Sequence, residues 1–221
     1  DGLFKAWATD RAAGLDALML APTRDLVADL NQRAQAHLHG HRPGPTVVLA
    51  DGHTAGIADV IITRTNNRRL ATSATDWVKN GDRWHITALN TNGSMTVVHQ
   101  HTSARVVLPA AYVTTSVDLG YACTTHAAQG VTADTMHGLL TADETRQQLY
   151  TMLTRGRLAN HTYLQVVGSG DPHSLIRPEA ILPPTATDLL ETILGRDEQP
   201  LSASSTARQL ADPAGRLADA T

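Results

Sequence analysis

The sequence predicts an α/β protein in which a parallel sheet covered by helices is interrupted by a small antiparallel β module. Three observations predict it. Before residue 40 and after residue 113, short apolar runs ending in turn residues alternate with helical patterns, as in a parallel sheet with helical crossovers. Between them lie short strand-like runs with no helical period. Apolar residues make up 42% of the 221-residue chain but aromatics only 4%, so the core rests on Ala, Val, Leu and Ile.

In chain order, Leu15 to Ala21 is a short apolar run, read as a buried strand, and Pro22-Thr23 ends it. Thr23 can cap the next helix. From Arg24 to His39, Val27, Leu30, Ala34 and Leu38 fall on one helical face. Asp59 to Arg64, Trp84 to Leu89, Met95 to Gln100 and Arg105 to Leu108 read as strands, with an Asn92-Gly93 hairpin turn between two of them. Val117 to Thr124 reads as one strand, and Thr125 to Gln129 as a turn into a short helix. Met136 to Leu140 is another strand. Thr141 to Arg157 is a helix burying Leu149, Met152, Leu153 and Gly156, and Thr162 to Val167 returns as a strand. The expected division is residues 1–78 with 113–170 for the α/β domain, 79–112 for the β module, and 171–221 for a Pro-rich, loosely packed tail. That tail is expected to be helical near Ala186 to Leu194 and disordered after Gln199.

Composition narrows the function classes. No apolar run approaches the ~18 residues of a bilayer span, and no secretory leader opens the chain, so a cytoplasmic protein without membrane contact is expected. Cys123 stands alone, which excludes an internal disulfide framework and a Cys-rich zinc site; it reads as a small buried hydrophobe. Alternating His37, His39 and His41, and His99 with His101, lack the matched ligands of a zinc site, and no metal site is expected. A net charge of −3 restricts nucleic-acid contact to a local patch. Only Lys5 and Lys79 are lysines among 18 basic residues, so the cations are nearly all guanidinium forks suited to phosphate. The chain opens at Asp1 without an initiator Met and reads as a fragment.

Two segments carry most of the chemistry. Gly120 to Gly130 ends a buried strand in small residues and displays Thr124, Thr125, His126 and Gln129 at a turn, with Gly130 permitting close approach. Hydroxyls, an imidazole and an amide beside a helix start suit phosphate and sugar; an ordinary polar loop is the plain alternative. Leu149 to Arg157 would bury Leu149 and Leu153, leaving Arg155 about 200° round from Leu153. An Arg there can reach a transferring phosphoryl group, or merely favour the helix dipole.

Together the two segments resemble motifs V and VI of superfamily 1 DNA helicases of the RecD-like branch. The matching residues are Thr124, His126, Gln129 and Gly130 of a Thr-x-His-x-x-Gln-Gly run, then Tyr150, Thr154 and Arg155. Leu20 to Asn31 is similar to motif IV, and Asp59 to Leu70 to the strand and loop after it. The stretches Trp77 to Trp84, Val106 to Val113 and Leu119 to Asp134 resemble the C-terminal motor of conjugative relaxase–helicases of the TraI/TrwC (MobF) type. The resemblance spans about Leu15 to Val167. It implies a second RecA-like domain with an SH3-like β insert, Arg155 as a catalytic γ-phosphate finger, and Thr124, Thr125, His126, Gln129, Gly130, Tyr150 and Thr154 as the link between ATP and DNA. It departs from the pattern at Val131-Thr132, where many relatives have Ser-Glu, and at Ala127, where many have Lys.

No glycine is followed by lysine, so the chain holds no Gly-x-x-x-x-Gly-Lys-Ser/Thr phosphate loop. The string Gly138 to Glu144 is like a Walker B segment, but Thr141 and Glu144 have capping-box spacing. The resemblance therefore implies that ATP with Mg2+ is bound mainly by a missing upstream RecA-like domain of the same polypeptide. Single-stranded DNA is the implied partner, with conjugation machinery as a further one. Arg64, Asn66, Arg68, Arg69 and Arg83, with Thr23 and Arg24 of the motif IV-like stretch, are the expected DNA-binding set. Trp77, Trp84 and Tyr112 either stack on bases or fill the β core. The rival expectation is a non-catalytic single-strand-binding or protein-docking module derived from a helicase.

Overall fold

The structure, a computed structural model, describes residues 1–40, 44–165 and 185–197. Strand β1 (Ala17–Ala21) is fully buried along its length, as its unbroken apolar run requires of a strand covered on both faces. It shares a four-stranded sheet with β11 (Ala122–Thr124), β12 (Ala133–Leu140) and β13 (Gly156–Leu164), in the order β11-β1-β12-β13. Every pairing in this sheet is parallel. Helices α1 (Gly2–Ala12) and α2 (Arg24–His39) cover one face, where Trp7, Leu30 and Ala34 pack with Ala17, Met19 and Ala21. On the other face Leu18, Leu20 and Cys123 meet Leu149 and Met152 of α4 (Arg146–Met152) and Ile193 of α5 (Ala186–Gly195).

The middle of the chain forms a second, antiparallel sheet. Its strands are β4 (Val60–Thr63), β7 (Arg83–Leu89), β8 (Met95–His99), β9 (Arg105–Leu108) and β10 (Val117–Leu119), the last reached through α3 (Ala110–Ser116). They are ordered β10-β4-β7-β8-β9. Two small hairpins, β2 (Val47–Val48) with β3 (Thr54–Ala55) and β5 (Asn67–Ala71) with β6 (Trp77–Val78), stand beside it. The turn expected at Asn92-Gly93 joins β7 to β8, with Gly93 at φ +78°. The fold class is thus the expected one: a helix-covered parallel sheet carrying an SH3-like antiparallel insert. The insert reaches beyond 79–112, because β4 and β10 pair across the sheet and close it from both sides.

Three elements differ from the sequence reading. The run 117–124 is not one strand: β10 belongs to the antiparallel sheet and β11 to the parallel one, and the chain changes sheet at Gly120. A Cβ at Gly120 would sit 2.7 Å from the Ile61 carbonyl carbon, so only glycine allows this crossing. The helix expected over 141–157 runs only from Arg146 to Met152. The Thr141 N–H and hydroxyl do donate to the Glu144 carboxylate, but the capping box that starts the helix is Thr145 with Gln148. Leu153, expected on the buried face, is 44% exposed. With the helix ended, β13 begins at Gly156 rather than Thr162. Leu38 is likewise exposed at the end of α2. Helix α1 had no counterpart in the sequence reading. The expected tail helix is α5, whereas the disorder expected after Gln199 lies outside the described residues.

Candidate functional site

The connection from β11 to β12 carries the Thr124 to Gly130 segment. Thr124 ends β11 and its hydroxyl accepts from the Ala127 N–H at 3.3 Å, which starts a 3-10 turn over His126–Ala128. Ala128 points into the apolar face under α4, and His126, Gln129 and Gly130 face outward. Gly130 has φ +83°, a conformation that favours glycine. Thr125 is buried, and among the described residues its hydroxyl has no hydrogen-bond partner. Such a group costs roughly 1–3 kcal/mol when left unpaired.

Helix α4 brings the second segment to the same place. The His126 ring Nε2 lies 3.1 Å from Gln148 Nε2 on α4. Arg155 follows the helix in a tight turn, and its guanidinium lies against the 126–131 segment. Nη1 donates to the Ala128 and Val131 carbonyls at 3.3 and 3.4 Å, Nε to the Thr151 carbonyl, and Nη2 to Thr154 Oγ1. The structure therefore brings together Thr124, Thr125, His126, Gln129, Gly130, Thr154 and Arg155. Tyr150 is 70% exposed on the outer side of α4.

The expected DNA-binding residues divide. Thr23 caps α2 by accepting from the Leu26 N–H at 3.3 Å, and Arg24 stands exposed beside it. Arg64 is ion-paired with Asp118, its Nε 3.2 Å from Oδ2. Asn66 accepts from the Asn80 N–H, which ties together the two ends of the β5–β6 hairpin. On that hairpin Arg68 and Arg69 are exposed, and Arg68 lies 4.8 Å over the Trp77 ring, with the Lys79 ammonium 5.7 Å from it.

Arg83 is a correction. It is 3% exposed, pairs with Asp16 at 2.8 Å, and donates to the Gly120 and Ala17 carbonyls. It cannot track a phosphate backbone; it joins barrel to parallel sheet where the chain changes sheet. Trp84 and Tyr112 are also removed from any stacking surface. Trp84 is fully buried with its ring edge-on to His99, and the Tyr112 hydroxyl donates to the Thr65 carbonyl.

Two residues that hold the site together escaped the sequence reading. Asn31, buried on α2, donates to the Leu119 and Ala122 carbonyls and accepts from the Tyr121 and Ala122 N–H groups. It thereby fixes both sides of the strand change at Gly120. Its signal was a polar residue between Val27 and Ala34 on an otherwise apolar face. Asp59 accepts from the Tyr121 hydroxyl at 2.7 Å and from the Gly56 N–H, and burial pushes the Tyr121 phenol far above its usual range. Burial also pushes the Cys123 thiol up to about 11, which leaves it inert. Among the described residues no group of three His, Cys, Asp or Glu side chains could hold a metal ion. No described helix is long and apolar enough to cross a membrane.

A family model described as the Rv2311 SH3-like barrel domain matches residues 47–118. The uncharacterized proteins Rv2311 and MT2373 from two strains of Mycobacterium tuberculosis are each 35% identical over 92 residues, 41% of this chain and 53% of the relative. The chain thus spans about half the length of the curated relatives it matches. Among solved structures, the Pif1 helicase from Bacteroides in complex with ADP-AlF3 and ssDNA aligns with a TM-score of 0.47 and 15% identity, over 67% of this chain and 40% of that one. The Pif1 helicase from Candida albicans aligns with a TM-score of 0.45 and 12% identity, over 70% and 46%.

Proposed function

We propose that the chain is the C-terminal motor half of an ATP-dependent single-stranded-DNA translocase or helicase, set within a conjugative relaxase, in the cytoplasm. One observation carries this reading. Two segments 25 residues apart, each similar to a helicase motif, meet through the hydrogen bonds of Arg155 to the Ala128 and Val131 carbonyls and of Gln148 with His126. In this reading the 47–118 match is the insert, wider than the expected 79–112, and the chain on either side of it, 1–46 and from 119 on, forms the second RecA-like domain.

ATP supplies the phosphoanhydride whose cleavage drives movement. This chain offers its terminal phosphate one cation, Arg155, but no phosphate loop, so ATP and Mg2+ would be held mainly by an upstream RecA-like domain. Arg155 would exchange its carbonyl partners for phosphate oxygens and stabilise the charge that develops there. Release of the Ala128 and Val131 carbonyls would free the 126–131 turn, and Thr124 and His126 would relay that change to the strand. DNA would run past Arg24 and Arg64 to the exposed Arg68 and Arg69 on the β5–β6 hairpin, with conjugation machinery as a further partner of the whole protein.

The test is Arg155→Ala in the full-length protein. The reading predicts a loss of DNA-stimulated ATP hydrolysis on the order of 10³-fold or more with DNA binding retained; near-normal turnover overturns it. A second reading, a non-catalytic single-strand-binding or docking module, is favoured by one observation: the Nε, Nη1 and Nη2 nitrogens of Arg155 all donate within this chain. Full-length protein that binds DNA without any ATP hydrolysis would support it.

A further inference from the structure

The residues that follow the Thr124 to Gly130 segment are held from two directions. From the side of α4, Arg155 Nη1 donates to the Val131 carbonyl at 3.4 Å, and the Arg155 carbonyl accepts from the Ala133 N–H at 3.0 Å. From the barrel, His101 of the β8–β9 loop places its ring Nε2 3.0 Å from the Thr132 carbonyl oxygen. A carbonyl oxygen only accepts, so Nε2 carries the hydrogen. The Thr132 carbonyl and the Ala133 N–H belong to one planar peptide group. His101 therefore grips that group at one end and Arg155 grips it at the other. A single residue, Thr132, separates it from the carbonyl that the guanidinium holds.

The barrel makes this contact from a braced loop. The His99 ring Nδ1 accepts from the His101 and Thr102 N–H groups, and the Ser103 N–H donates to the His99 carbonyl. The loop thus keeps its shape without the His101 side chain. His101 Nε2 also lies 3.3 Å from Asp16 Oδ2, on the carboxylate that pairs with Arg83. A second barrel turn touches the same segment. Gly81, three residues beyond β6, runs so close to Val131 that a Cβ there would lie 3.2 Å from Val131 Cγ2. The hairpin with the exposed Arg68 and Arg69 leads directly into that turn.

Resting on the motor reading above, we infer that His101 is a positioning residue for Arg155: a strand bound to the barrel shifts the Thr132–Ala133 peptide through His101, and that peptide shifts the guanidinium. Coupling between two sites is a free energy carried by groups in physical contact, and here the contact is one hydrogen bond from each side of one peptide. The barrel then senses the strand and biases how firmly Arg155 keeps its carbonyl partners.

The experiment follows the Arg155 Nε–H signal of the 15N-labelled 221-residue chain by NMR as a 12-mer of dT is added. The signal is identified by its loss in Arg155→Lys, and its bond to the Thr151 carbonyl slows its exchange with water. Bound strand should shift it in the native chain. In His101→Ala the strand should bind within about twofold of the native affinity while the shift is lost. His101→Gln, whose amide can reach the same carbonyl, should restore the shift. Binding without a shift, a shift that survives His101→Ala, or one that His101→Gln fails to restore overturns the inference and leaves the motor reading to Arg155→Ala. Affinity weakened about tenfold or more in His101→Ala makes His101 a strand contact and overturns it too. No binding of the strand overturns the DNA-binding reading together with the inference. His101→Phe, which keeps a ring without a donor, decides should His101→Ala fail to fold.

Discussion

Arg83 shows how a single side chain decides what the barrel is attached to. Its guanidinium is buried on Asp16 and two backbone carbonyls, and removing one partner of a buried pair leaves an uncompensated charge. Arg83→Ala should therefore destabilise the fold by about 3–5 kcal/mol, read as a lower urea midpoint; a change below about 1 kcal/mol would contradict that role. Arg83 looked like a surface cation in the sequence because composition assigns charge but not burial. Its partner Asp16 is 67 residues distant, and no local pattern couples them. Cys123 was the opposite case. An apolar strand context already marked it as buried, and the raised thiol pKa predicts negligible reaction with a thiol reagent at pH 8 in the folded state. Labelling as fast as in denaturant would contradict its burial.

At the scale of elements, legibility followed the length of the local signal. Strand β1 and helix α2 were readable because an unbroken apolar run and a 16-residue apolar period each specify one structure. The 117–124 run was not, because both halves are strands and only the close approach of Gly120 to Ile61 shows that they serve different sheets. Helix α4 was misjudged in length because two capping signals compete four residues apart, and Thr145 with Gln148 wins. The Thr124 to Gly130 segment and Arg155 were legible as residues, but that they touch was not. The β5–β6 hairpin carries the exposed Arg68 and Arg69. Replacing both by Gln should weaken single-strand binding and flatten the dependence of log affinity on log salt by about 0.7 for each phosphate no longer neutralised. An unchanged slope would take the hairpin out of the interface.

Over the whole molecule, covered imidazoles in both sheets, His137 in the parallel one and His85 in the barrel, shape the pH response. Burial holds the His137 and His85 imidazoles below the usual range, His137 despite its 2.8 Å bond to Asp10. Folding thus favours their neutral forms. The unfolded chain binds more protons between those lowered values and about pH 6.5, so this stability is present above pH 6.5 and lost as the pH falls. The melting temperature should drop between pH 7.5 and pH 5.5, and His137→Gln should shrink that drop; a rise on acidification would contradict the assignment.

The division of labour between this chain and a phosphate-loop domain is tested most directly by DNA-stimulated ATP hydrolysis. Rates are to be compared for the 221-residue chain alone and for the full-length protein. The motor reading predicts none above background from the chain alone and robust turnover from the longer polypeptide. Sustained hydrolysis by the isolated chain would contradict it.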